Sequence, residues 1–145
     1  MDCRFGRNAR GLRSLRRVWE LDDAWILQSV VFAGRRGDLA RVIGQADAIN
    51  AAIPSADVLQ RAAGRLSAAG LLEVAGPRLR ATRTGRRVVR RASGWRSHAR
   101  EVPPRLLEVL DREVPFPDTP TDWDLSAVEW RVAYDRYYPP ERRPS

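Results

Sequence analysis

Lysine is missing from the 145 residues altogether, and cysteine, histidine and methionine occur once each. Without lysine there is no P-loop ammonium to hold a phosphate and no amine to form a Schiff base. The lone Cys3 has no internal disulfide partner, and with His98 as the single imidazole no Cys/His metal cage can be assembled. No apolar run approaches the ~18 residues that span a bilayer, and no secretory apolar stretch stands near the start. The chain is therefore expected to be soluble and cytoplasmic, with no membrane partner, no metal and no cofactor. Neither a glycine-rich nucleotide loop nor a nucleophile elbow is present. Asp22 and Asp23 are neighbours on a helix and diverge, so they are read as solvated rather than as a catalytic pair. His98 stands between Arg96 and Arg100 and is read as exposed. An enzyme is not expected.

What the chain has is arginine. All 26 basic residues are Arg, against 18 acids, for a net charge of +8. The excess is lopsided: residues 1–100 hold 20 Arg and 8 acids, whereas residues 101–145 hold 6 Arg and 10 acids. A body of +12 with a tail of −4 suggests a polyanionic partner. Hydrophobic residues at 43% and charged residues at 30% otherwise fit an ordinary globular chain.

Residues 1–15 carry Arg4, Arg7, Arg10 and Arg13 among small residues and read as a disordered basic arm, with a misplaced start codon as the alternative. From Val18 to Ala33 the apolar residues Val18, Leu21, Trp25 and Ile26 mark a core helix, broken at Gly34-Arg35-Arg36-Gly37. Asp38 caps a second helix with Leu39, Val42, Ile43 and Ala46 inward. Ser55 caps a third, with Leu59, Ala62 or Ala63, Leu66 and Ala69 inward, and Gly70 stops it. Two alternating stretches, Leu72-Glu73-Val74 and Leu79-Arg80-Ala81-Thr82, flank turn residues and predict an antiparallel hairpin. Thr84 is expected to cap a fourth helix to about Ala92, with Val88, Val89 and Ala92 inward. Eight of the ten prolines fall after residue 102. There one helix is expected over 104–112, then a Pro-rich connector over 115–121, then a last helix on a Ser126/Glu129 capping box. The five tryptophans, 19, 25, 95, 123 and 130, read as packing residues.

The fold class is thus mainly α with a small antiparallel β-hairpin, in three parts: the arm 1–15, a body 16–94, and a Pro-rich segment 95–145 with one or two packing helices. The element order and the stretch RLSAAGLLEVAGPRLRATRTGR resemble winged helix-turn-helix regulators of the MarR and PadR type. Leu66, Gly70, Leu71, Leu79, Thr84 and Gly85 carry that resemblance, which covers about residues 18–92. It implies a bacterial, nucleoid-associated transcriptional regulator that binds double-stranded DNA as a homodimer. Its third helix would enter the major groove with Ser55, Asp57, Gln60, Arg61, Gly64 and Arg65 outward, and Arg78, Arg80 and Arg83 of the wing would meet phosphates. Leu125, Val128, Trp130 and Tyr134 of the last helix are expected to pack on the first helix or on a second subunit. An alanine-rich third helix opening with Asp57 fits an alternative, a winged-helix protein-interaction module without sequence-specific DNA binding. Non-specific nucleic-acid binding through the arm is a third reading.

Overall fold

The computed structural model describes residues 18–94 and 98–144. The arm expected over 1–15, with Cys3, lies outside them, as does Trp95. Helix α1 spans Leu21–Ala33, α2 Leu39–Asn50 and α3 Ala56–Ala68; strands β1 Leu72–Ala75 and β2 Arg78–Ala81 follow, then α4 Arg83–Ala92, α5 Val102–Glu113 and α6 Ala127–Tyr137. The architecture is mostly helical with a two-stranded antiparallel sheet, the expected α+β class.

The local signals act where they are placed. Asp38 accepts the Ala40 N–H at 3.1 Å and Ser55 accepts the Val58 N–H at 3.2 Å, each satisfying an orphan donor of a first helical turn. Gly70 adopts φ +80°, and the Leu71 N–H reaches back to the Leu66 carbonyl at 2.9 Å while the Gly70 N–H bonds Ser67. This paired closure ends α3 and drops Leu71 into the core. The hairpin pairs Leu72 with Ala81 and Val74 with Leu79.

Two expected starts shift. α1 begins at Leu21, leaving Val18 and Leu21 about half exposed, because the residues from Asp23 to Val30 occupy the buried part of the helix. The fourth helix is capped by Thr82, not Thr84. The Thr82 hydroxyl donates to the Gly70 carbonyl at 2.7 Å and accepts the Gly85 N–H at 3.0 Å, so the cap also ties the strand end to the α3 terminus.

The core is one cluster to which every helix contributes. Helix α5 packs on α1 and α4 with Leu106 and Leu110 fully buried; Pro103 and Pro104 sit in its first turn, where a missing N–H costs nothing. Residues 18–92 therefore do not close the core alone. Helix α6 packs on α2, neither on α1 nor free. Trp130 donates to the Pro54 carbonyl at 3.0 Å and stacks on Tyr134, and Tyr137 donates to Asp47 Oδ2 at 2.7 Å. Leu125 is buried, but Val128 is 72% exposed. No helix among the described residues is long and apolar enough to cross a membrane.

Candidate nucleic-acid interface

The hairpin collects unpaired cations. Arg78 at the turn, Arg80 on the outward face of β2 and Arg83 at the start of α4 are all exposed, and no ion pair holds any of them among the described residues. The Leu79 N–H bonds the Gly37 carbonyl at 3.1 Å, which docks the α1–α2 turn against β2 and brings its arginines to the hairpin. Arg35, Arg80, Arg83 and Arg86 then line one cleft of about 430 Å³, with Glu73 as its single acid. Arg86 is steadied by a bond to the Ala81 carbonyl at 2.8 Å. Arg35 and Arg36 carry no sequence signal beyond breaking a helix; only the packing of the turn makes them part of this surface. Farther along α4, Arg91 pairs with Glu113, while Arg87 and Arg90 remain exposed.

Helix α3 is arranged differently from the expectation. Ser55, Asp57 and Arg61 are exposed. Gln60 and Arg65 are committed within the chain. Gln60 donates to the Leu125 carbonyl at 3.0 Å, and Arg65 binds Asp23 Oδ1 at 3.2 Å and Glu20 at 3.3 Å with its guanidinium over Phe116. Gly64, read as outward, is buried. The cause is the connector: residues 114–126 run across the outward side of α3, and the Thr121 N–H donates to the Gly64 carbonyl at 2.9 Å. A β-carbon at position 64 would lie 2.6 Å from the Thr121 carbonyl oxygen. A mid-helix glycine costs about 1 kcal/mol relative to alanine; here it admits a second backbone against the helix.

Tryptophans fasten this segment. Trp19 donates to the Val114 carbonyl at 2.8 Å where the segment begins, and Trp123 donates to Gly76 in the hairpin turn at 2.7 Å. Trp130 closes the far end on Pro54, whereas Trp25 holds α1 to α2 through Ala46 at 2.9 Å. All four described indoles thus bond a backbone carbonyl rather than stand free to stack on bases. The signal in the sequence was the pairing of early and late tryptophans with the proline-rich connector, which only the fold joins.

Electrostatics beneath the segment centre on Asp23, which is fully buried, not solvated as expected. Burial pushes its carboxyl up to about 6, although the Glu20 N–H and the Arg65 guanidinium pull the other way. His98 is exposed, and no cluster of metal-ligating side chains occurs among the described residues. No protein-family model, curated protein or solved structure matches the chain.

Proposed function

We propose that the chain is a winged-helix protein of the transcription-regulator kind that holds the phosphate backbone of double-stranded DNA through its hairpin and the turn docked beside it. The observation that carries this reading is the cleft lined by Arg35, Arg80, Arg83 and Arg86 with a single acid. Converging like charges repel one another, and a polyanion relieves that repulsion while releasing its own counterions. Arg78 extends the strip to the hairpin tip. Base reading by α3 is not part of the arrangement described above. A helix is about 10–12 Å across with its side chains and the major groove about 12 Å wide, so a helix carrying a second peptide segment is too thick to enter. Binding in this conformation is consequently positioned by phosphates and indifferent to sequence.

A homodimer belongs to the same proposal. Val128 and Val132 are 72% and 54% exposed on one side of α6, and a two-fold partner would cover them. Val128→Asp with Val132→Asp should then halve the mass in solution without unfolding the chain.

The covered α3 favours a second reading, a protein-interaction module. Salt titration separates the two. Under the DNA reading, Arg80→Ala and Arg83→Ala each weaken binding by a similar factor on every duplex, and each reduces the slope of log affinity against log salt by about one. If neither variant changes affinity or slope, the hairpin is not the contact surface and the interaction module takes its place.

A further inference from the structure

We propose that residues 114–126 are an intramolecular competitor for nucleic acid, an acidic cover whose displacement opens the outward side of α3 to a duplex; this rests on the DNA reading above. The segment contains Asp118, Asp122 and Asp124 and no arginine, and all three carboxylates are exposed. Thr121 lies against Gly64 of α3 and Trp123 against Gly76 of the hairpin turn, so Asp122 between them and Asp124 just beyond are carried beside both elements. A phosphate backbone brought to that side of α3 would meet charge of its own sign, and the two cannot occupy the place together.

Its attachment suits displacement. The segment is extended, with no helix or strand of its own, and from 114 to 126 Leu125 alone is buried. Over α3 and the hairpin its hydrogen bonds are single ones, Thr121 to Gly64, Trp123 to Gly76 and Gln60 to Leu125, with Phe116 under the Arg65 guanidinium at the α5 end. The helices on either side have separate anchors, α5 in the core through Leu106 and Leu110, and α6 on α2 through Tyr137 and on the α2–α3 connector through Trp130. The middle can lift while both ends stay docked. Lifting would uncover Gly64 and free Gln60, and α3 would gain the outline of a helix able to enter the groove.

The test uses the full chain, a fluorescent duplex of random sequence at fixed low salt, and two variants of different kind. Gly64→Ala pushes the segment off through the Thr121 carbonyl and removes no α3 side chain. Asp122→Asn with Asp124→Asn keeps the Thr121, Trp123 and Leu125 bonds, which use backbone and indole atoms, and removes two of the segment's charges. Both should bind the duplex more tightly, by about tenfold for the charge variant from the loss of two repulsive charges near phosphate. Selection from a random pool should return a sequence preference for Gly64→Ala that the parent lacks. Adding duplex to the parent should accelerate exchange of the Thr121 amide. Equal affinity for parent and both variants, with Thr121 exchange unaltered by duplex, would show the segment to be a structural tie. In that outcome weakened binding by Arg80→Ala still upholds the DNA reading. Absence of duplex binding by parent and variants alike overturns both.

Discussion

Among the described residues, Asp23 and Tyr137 are the two side chains whose proton affinity the tertiary environment clearly raises. The Asp23 carboxyl titrates near 6 in the folded chain against 3.8 ordinarily, so the folded state holds its proton more tightly. Its stabilising contribution is fully present below about pH 4 and is lost as pH rises through about 6. By the linkage of proton binding to folding this is on the order of 3 kcal/mol. In denaturant melts from pH 4 to 7 the parent should lose stability relative to Asp23→Asn by that order as pH rises; a constant difference would contradict the assignment. The phenol of Tyr137 is pushed up to about 12, first by its hydrogen bond to Asp47 and then by burial. The chain has three tyrosines. In an alkaline absorbance titration one of them should ionise late, and Asp47→Asn should bring it back toward 10. Neither effect is legible in sequence. Asp22 and Asp23 differ only in which side of α1 they take, and the partner that holds Asp23, Arg65, is contributed by α3.

Elements were more legible than their surfaces. Asp38, Ser55 and the Ser126/Glu129 box cap helices as their spacing predicts, because a cap is decided by atoms two or three residues away. Thr82 and Thr84 are equally good caps by residue type; the Gly70 carbonyl, presented by the end of α3, selects Thr82. The docking of α6 is a contact of another order, made by one indole, one phenol and the small residues of α2. Trp130→Ala removes both the Pro54 bond and the ring stacked on Tyr134. It should lower stability by about 1–3 kcal/mol, with amide exchange accelerated in α6 and unchanged in α1. Uniform acceleration throughout the chain would mean that α6 is part of the central cooperative unit.

At the scale of the molecule, the tail is not an addition to a finished body. Deleting residues 101–145 removes Leu106 and Leu110 from the common core and uncovers the faces of α1 and α4 on which α5 packs. Two fully buried leucines alone are worth several kcal/mol, on the order of a small domain's whole stability. The truncated chain is expected to lose its cooperative thermal transition. A truncated chain melting like the parent would show that the first three helices, the hairpin and α4 suffice. The charge asymmetry acquires a meaning here too, since the acidic segment folds back along the arginine-rich part instead of trailing from it.

Helix periodicity, the caps at Asp38, Ser55 and Ser126, the Gly70 stop and the alternating hairpin were determined by the sequence itself, since each depends on residues within a turn or two of one another. The use of α3 was decided by the tertiary structure. Gln60 meets Leu125 across 65 residues, Trp130 meets Pro54 across 76, and Trp19 meets Val114 across 95. Spacing within a helix identifies its outward side but not what lies on it. A connector without periodicity carries no local record of the surface it will cross, and the one residue on α3 that anticipates the crossing, Gly64, is conspicuous only once the Thr121 carbonyl is seen against it.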